Sequence, residues 1–239
     1  MKNKHIYITI FIIIFTFTSF TYANLKEIKN YLEVDTFDSL DKRKEKTNDE
    51  KKEFFPNKST KIVGSFKNNK RNGKWFFYKV TNNSSKPFLF MEAQYLNGKK
   101  DGKWKKYYNN GKVQTTITYR NDKINGCVEI YYQTGMPYKI IFFRENKMNG
   151  KLSEFYKDGI PREIVWYDDN QKNGQANLYY KGGKKKAIGK YINGKKQGLW
   201  KIYDKDGDLE SIGTFLKGKK KGMWKFYDKN KKIVGEKKF

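Results

Sequence analysis

Three aspartates around one glycine are the residues best placed for chemistry in this sequence. In the stretch IYDKDGDLE, Asp204, Asp206 and Asp208 alternate as they do at the start of a calcium-binding loop. Such a loop also needs glycine at its sixth position and glutamate at its twelfth, where this chain has Leu209 and Phe215. Because NNGK, QTGM, KDGI and KGGK occupy the same slot elsewhere, we interpret KDGD as a turn whose acids bond their own backbone. We therefore predict no metal site.

Histidine and cysteine, which could also support catalysis or metal binding, are scarce in this sequence. The single histidine, His5, lies in residues 1–23, which have the order of a secretory signal peptide: two lysines, an apolar run over 6–20 and Ala23 before the cleavage point. The apolar run is shorter than the roughly 20 residues needed to span a bilayer, which favours cleavage over a retained anchor. After cleavage the chain has no histidine and one cysteine, which excludes a histidine base, a histidine-bound zinc and an internal disulfide. Cys127 is predicted to be a small apolar residue in a strand.

Basic residues outnumber acidic ones, and the excess is confined to one part of the chain. The sequence has 52 Lys and Arg against 25 Asp and Glu, a net charge of +27. Residues 24–60 are balanced and include the run DKRKEKTNDEKKE, which is predicted to be a solvated linker. Before it, Leu25, Ile28 and Leu32 have the spacing of a short amphipathic helix. We therefore predict a signal peptide over 1–23, a helix and charged linker over 24–60, and a basic domain over 61–239.

A repeat of 24 residues organises this basic domain. Seven anchor glycines are separated by one interval of 29 residues and then by intervals of 24: Gly73, Gly102, Gly126, Gly150, Gly174, Gly198 and Gly222. Five residues after each anchor is an aromatic residue: Tyr78, Tyr107, Tyr131, Phe155, Tyr179, Tyr203 and Tyr227. Seven residues before each anchor is another: Phe66, Tyr95, Tyr119, Phe143, Tyr167, Tyr191 and Phe215. Each unit has two aromatic and β-branched runs separated by turn residues, so it is predicted to be a β-hairpin.

Side-chain volumes predict the register within each hairpin. A four-residue turn, such as NGKK at 193–196, makes each anchor glycine face the aromatic residue seven positions before it. The same register makes the residue two after the anchor face the residue nine before it. The resulting pairs are Trp75 with Gly64, Trp104 with Ala93, Trp200 with Gly189, Trp224 with Gly213, Val128 with Ile117, Leu152 with Ile141, and Ala176 with Val165. Each of these four tryptophans meets a small residue, so the summed volume is roughly kept, as a packed face requires.

The segments NGKWFFY, DGKWKKYY, QGLWKIY and KGMWKFY, at this period, resemble MORN repeats. They are most similar to the bacterial MORN-repeat variant whose members are labelled YwqK-type antitoxins. The resemblance covers about residues 61–239, although Val128, Leu152 and Ala176 replace tryptophan in the third to fifth repeats. It implies an all-β fold, an elongated single-layer antiparallel meander of about seven β-hairpin repeats. Seven hairpins make about 14 strands and a sheet roughly 65 Å long.

Binding is the function that these features favour. The chain lacks a histidine after cleavage, a glycine-rich phosphate loop before a helix and an enclosed acid pair, so we predict no enzyme and no cofactor. One edge of the meander is rich in lysine, and we predict contact there with an anionic envelope surface, such as phospholipid or a polyanion, or with an acidic protein. The lysines proposed for this contact are Lys99, Lys100, Lys195, Lys196, Lys219, Lys220 and Lys221. The alternative is that these lysines only keep an aromatic-rich sheet soluble.

A second function, neutralisation of a partner toxin, is implied by the label of the similar family. Export argues against nucleic acid as the partner, although charge and aromatic residues suit it. The predicted location is the periplasm, the cell envelope or the medium, with no stable membrane span after cleavage.

Overall fold

The computed structural model describes residues 50–54, 60–81 and 84–239, and these residues form strands and turns without a helix. The seventeen strands are β1 (Glu50–Phe54), β2 (Thr60–Lys67), β3 (Lys70–Thr81), β4 (Ser84–Leu96), β5 (Lys99–Lys100), β6 (Gly102–Tyr107), β7 (Val113–Arg120), β8 (Lys123–Tyr131), β9 (Pro137–Arg144), β10 (Lys147–Phe155), β11 (Pro161–Asp168), β12 (Gln171–Tyr179), β13 (Lys185–Ile192), β14 (Lys195–Tyr203), β15 (Leu209–Leu216), β16 (Lys219–Tyr227) and β17 (Ile233–Lys238).

Strands that are neighbours in the chain pair antiparallel, from β1 with β2 to β16 with β17. β4 pairs with both β5 and β6, which together act as one strand interrupted at Asp101. All strands belong to one sheet. This arrangement confirms the predicted antiparallel meander of β-hairpins. The predicted signal peptide and the helical segment from Leu25 to Leu32 lie outside the described residues.

The structure differs from the sequence-based prediction at β1. This strand lies in the segment predicted to be a charged linker, and it pairs with β2 from Glu50 opposite Ser65 to Phe54 opposite Lys61. The run EKKE has no apolar alternation, so its sequence carries no strand signal. Backbone hydrogen bonds to the first hairpin, which depend on no side-chain pattern, hold a strand there.

The tips of the seven hairpins are two-residue loops, so the predicted four-residue tip was wrong. In each loop both central residues have positive φ: Asn68 and Asn69, Asn97 and Gly98, Asn121 and Asp122, Glu145 and Asn146, Asp169 and Asn170, Asn193 and Gly194, and Lys217 and Gly218. Two positive φ values define the type I′ turn, whose twist matches that of paired strands. Tyr191 consequently faces Lys196 rather than Gly198.

Because each tip uses two residues rather than four, the two remaining residues form a bulge at the anchor glycine. On one side of the bulge Lys190 faces Gln197, and on the other side Ile188 faces Lys201. All seven anchors have φ between +69° and +122°, a region that favours glycine. Each anchor from Gly73 to Gly198 then faces the aromatic residue of the following repeat, as Gly174 faces Tyr191.

Beyond the bulge, the predicted pairing of large with small residues is confirmed. Val128 faces Ile117, Leu152 faces Ile141 and Ala176 faces Val165. At the tryptophan repeats the ring lies directly on the backbone of a glycine. A Cβ added to Gly64, Gly189 or Gly213 would lie 2.2 Å from the ring of Trp75, Trp200 or Trp224, respectively. These glycines are therefore required by space rather than by their φ angles.

The residues two after each anchor define the inner face of the sheet, and all seven are buried. They are Trp75, Trp104, Val128, Leu152, Ala176, Trp200 and Trp224. Each of these four tryptophans contacts the preceding and the following aromatic residue edge to face; Trp200, for example, lies 5.3 Å from Tyr191 and 5.9 Å from Phe215 between ring centroids. The indole N–H of Trp104, Trp200 and Trp224 donates to a backbone carbonyl on the neighbouring strand. The core of the sheet is thus a row of buried side chains on one face, with tryptophans towards both ends and aliphatic residues in the central repeats.

Successive hairpins are also tied at both edges of the sheet. At one edge a tyrosine hydroxyl donates to a backbone carbonyl of the next repeat, as Tyr132 does to Phe155 at 2.8 Å. The same bond recurs at Tyr108, Tyr156 and Tyr180. At the other edge, the tip of the next hairpin accepts a strand N–H; the Ile124 N–H donates to Asn146 Oδ1 at 2.7 Å. Each repeat is therefore held to its neighbour by side-chain hydrogen bonds as well as by strand pairing.

Candidate functional site

The hairpin tips place a column of lysines along one edge of the sheet. The residue that follows each two-residue loop is lysine in six of the seven hairpins, and we call these the tip lysines. They are Lys70, Lys99, Lys123, Lys147, Lys195 and Lys219, with Gln171 in the remaining hairpin, and all are exposed. Tips of successive hairpins are two strands, or roughly 10 Å, apart. The column is therefore a regular row of positive charge.

The central tip lysines have acidic partners from the next hairpin. Lys147 forms an ion pair with Asp169, and Lys123 forms one with Glu145. Both acids are the first residue of a tip loop. In the last hairpin that loop position is Lys217, so a cation replaces the acid. The net positive charge of the tip edge consequently rises towards the C-terminal hairpins.

The lysines predicted to form a binding edge fall into two groups. Those exposed on the tips or the outer face, the face opposite the four buried tryptophans, are Lys99, Lys195, Lys219 and Lys221. Those on the inner face, with the ammonium over a tryptophan ring, are Lys100, Lys196 and Lys220. The alternation of side chains along a strand explains the division, because neighbouring residues point to opposite faces. The predicted edge is therefore not one continuous surface.

The inner-face cations form a module with the tryptophans. Lys196 Nζ lies 4.4 Å from the ring centroid of Trp200, and Lys220 Nζ lies 4.2 Å from that of Trp224. A guanidinium takes this role in the first repeat, with Arg71 Cζ 4.8 Å from Trp75. These are distances at which a cation is attracted to an aromatic face.

The central repeats carry a different version of this module. Where Val128 and Leu152 replace tryptophan, Ile124 and Met148 replace the cation, and both are buried. The residue two before the anchor thus changes with the residue two after it, and this covariation between repeats could have been read from the sequence. In the fifth repeat, Lys172 instead forms an ion pair with Glu163 at 2.5 Å.

The protonation of the inner face reflects its burial. The pKa of Lys196 is lowered, first by burial and then by the charges of Lys172 and Lys220. The pKa of Tyr191 is raised to about 12, first by burial and then by the negative charge of Glu163. Lys196 is held over a ring and is partly buried, so an external anion is more readily met by the exposed lysines of the tips and the outer face.

The outer face of β13 to β16 has a pattern that the sequence analysis missed. Two rows alternate apolar residues with lysines. The row farther from the tips crosses all four strands and consists of Ile188, Lys201, Ile212 and Lys225. The row near the tips consists of one pair in each hairpin, Ile192 with Lys195 and Leu216 with Lys219. Between the rows lie Leu199 and Met223. We call this set the outer patch. The two-residue periodicity of β14 and β16 could have indicated it once the inner face was assigned to the tryptophans.

The outer patch combines exposed apolar area with positive charge. Leu199 is 55% exposed and Met223 is 52% exposed, which is unusual for large apolar residues in paired strands. The four strands contain ten lysines and a single acidic residue, Glu210. At the far side of the patch, Glu236 of β17 lies 3.6 Å from Lys225.

The aspartates of the KDGD stretch form a turn, as predicted. Asp204 Oδ1 accepts a hydrogen bond from the Asp208 N–H at 2.9 Å, and Gly207 has φ +90°. Asp206 forms a 3.1 Å ion pair with Lys229, and this hydrogen bond and charge lower the pKa of Asp206. The described residues contain no group of three acidic, cysteine or histidine side chains placed to share a metal ion.

Cys127 lies in β8, half-buried and opposite Phe142, which confirms its predicted place in a strand. Burial raises the pKa of its thiol, and the charge of Glu129 adds to this effect. The thiol is therefore mostly protonated at neutral pH.

Two segments of the chain, residues 100–121 and 196–217, match the family described as MORN repeat variant. Each match begins near an anchor glycine and covers the second strand of one hairpin and the first strand of the next, β6 with β7 and β14 with β15. No curated protein matches the chain significantly. The family match supports a MORN-repeat protein, and such repeats are generally binding modules without catalytic activity. Among the described residues no helix is long and apolar enough to cross a membrane.

Proposed function

We propose that this MORN-repeat chain is an exported, non-enzymatic scaffold that binds an anionic surface of the cell envelope through its exposed lysines. The observation that supports this proposal is the placement of charge along the tip edge. Lys123 and Lys147 have acidic partners at the next tip, whereas Lys217 stands at the equivalent position of the last hairpin. The first loop residue is acidic in the fourth and fifth hairpins, asparagine in four others and lysine in the last one, so positive charge is concentrated at the C-terminal end of the tip edge.

Phosphate groups are the chemistry that phospholipid headgroups and envelope polyanions share. A lysine near an anionic membrane contributes on the order of 1 kcal/mol, and the contribution is screened within about a Debye length. Three lysines together therefore change an affinity by roughly a hundredfold at low salt. The regular spacing of the tips, roughly 10 Å, would let several lysines contact one extended surface at once.

The test uses the mature chain, residues 24–239, and vesicles that contain phosphatidylglycerol or phosphatidylcholine. We expect binding to the anionic vesicles that is lost between low and high salt, and no binding to the neutral ones. The variant K217Q/K219Q/K221Q is expected to bind roughly a hundredfold less tightly. The control K123Q/K147Q/K229Q removes the same charge from lysines that pair with Glu145, Asp169 and Asp206, and it is expected to lose much less.

Purified wall polymer in place of vesicles distinguishes a polyanion from a lipid as the source of phosphate. Equal losses in the two triple variants would mean that net charge alone governs binding, and the proposal would then be wrong. Neutralisation of a partner toxin predicts a different result, namely a one-to-one complex with a single protein that persists at high salt.

A further inference from the structure

The outer patch contains features that an anionic surface alone does not use. Leu199 and Met223 lie between two rows that supply Lys195 and Lys219 on one side and Lys201 on the other. A polyanion would be served by the lysines without large apolar residues beside them. Exposed leucine and methionine side chains lower the free energy of a complex when a partner covers them.

The distance between Leu199 and Met223 limits the kind of partner that can contact both side chains. Leu199 and Met223 are equivalent residues of successive hairpins, so they lie two strands, or about 9.6 Å, apart. Seven residues of an α-helix advance about 10.5 Å. A helix with its axis across the strands therefore presents residues i and i+7 close to these two side chains, with a mismatch of only about 1 Å over two repeats.

The lysine rows are placed to flank such a helix. Lys195 and Lys201 face Ile192 and Ile188, which are four residues apart on β13, so roughly 13 Å separates the two lysines along the strands. A helix with its side chains is about 10–12 Å wide, and lysine side chains can bend inward to meet acids on both of its flanks. The patch therefore complements a helix with an apolar seam and acidic sides.

We infer that the outer patch binds an acidic amphipathic helix of a protein partner, with Leu199 and Met223 against the apolar seam and the flanking lysines against its carboxylates. This inference rests on the proposed binding function and names the partner class for the C-terminal end of the array. It adds a requirement, apolar contact, that the proposed function does not contain.

The experiment measures binding of the mature chain to three probes in physiological salt. One is a synthetic 21-residue helical peptide with leucine at heptad spacing and glutamate on its flanks, the second is a scrambled peptide of the same composition, and the third is polyglutamate. We expect the heptad peptide to bind at least tenfold more tightly than the scrambled one. The variant L199S/M223S is expected to lose that tenfold preference while it binds polyglutamate within twofold of the parent chain.

The control variant L96S/M136S removes the same two residue types, which are also exposed, away from the patch and should keep the preference. Equal binding of the two peptides, or an unchanged preference in L199S/M223S, would overturn the inference. So would a tenfold loss for L199S/M223S on phosphatidylglycerol vesicles alone, since this would make a membrane the occupant. If polyglutamate and anionic vesicles both fail to bind the parent chain at low salt, the proposed function itself fails, which is a different result.

Discussion

Replacing Gly189 with alanine should destabilise the array, because the added methyl group has no space. A Cβ at this position would lie 2.2 Å from two ring atoms of Trp200, whereas non-bonded carbons normally lie about 3.5–4.0 Å apart. Trp200 is fully buried between Tyr191 and Phe215, so its ring cannot withdraw by the required distance without displacing them. Overpacking of this kind costs about 1–3 kcal/mol, and no backbone strain adds to it, since φ at Gly189 is not positive.

A compensating variant tests whether the loss comes from the pairing itself. G189I/K196M/W200L copies onto this hairpin the set that the fourth repeat already uses, Ile141, Met148 and Leu152. Each single change should be destabilising, but the combination is expected to be at least about 1 kcal/mol more stable than the sum of the single effects, because the residues share one packed site.

The assay is urea unfolding followed by far-ultraviolet circular dichroism. Repeat arrays can unfold in segments, so midpoints are compared only where the slopes of the transitions agree. The matched control is Gly182→Ala, where an added Cβ would meet nothing within 4 Å and φ is likewise not positive. If Gly189→Ala is as mild as this control, within about 0.5 kcal/mol, Trp200 does not lie on the glycine as described.

Three further outcomes are expected. Tyr132→Phe removes the hydroxyl bond to Phe155 and should cost about 0.5–1.5 kcal/mol in the same urea assay, and no loss would contradict the tie between repeats. Asn146→Ala removes an acceptor for Ile124 at a φ of +67° and should be more destabilising than Asn146→Gly, because glycine loses the hydrogen bond without the backbone strain. Tyr191 should titrate near pH 12 by ultraviolet difference absorbance; its raised pKa contributes stability that is present below about pH 10 and is lost towards pH 12, so a normal titration would refute its burial.

Much of the fold could be predicted because the period of 24 residues fixes which residues are equivalent. The volumes opposite Trp75, Trp200 and Trp224 leave one register in which every large residue meets a small one, and the structure has those contacts. The tip geometry could not be obtained in this way. A four-residue tip and a two-residue tip followed by a bulge give the same pairing beyond the anchor, and local backbone twist decides between them.

The candidate site was harder to predict from the sequence than the fold. A row of lysines marks positive charge, but charge does not say which face a side chain occupies. Lys196 and Lys195 are adjacent in the chain and point to opposite faces, one over Trp200 and one into solvent. The outer patch emerged only when the inner face had been assigned, since Leu199 and Met223 look like core residues in a sequence.

The side-chain ties between hairpins span about 22 to 25 residues, as in the bond from Tyr132 to Phe155. The chain therefore closes only short loops while it folds, and the entropy lost in each closure is small. Such topologies fold quickly, and a growing polypeptide can add one finished unit to the last as it leaves the ribosome. We expect C-terminally shortened chains that end after a whole unit to keep the structure of the remaining units.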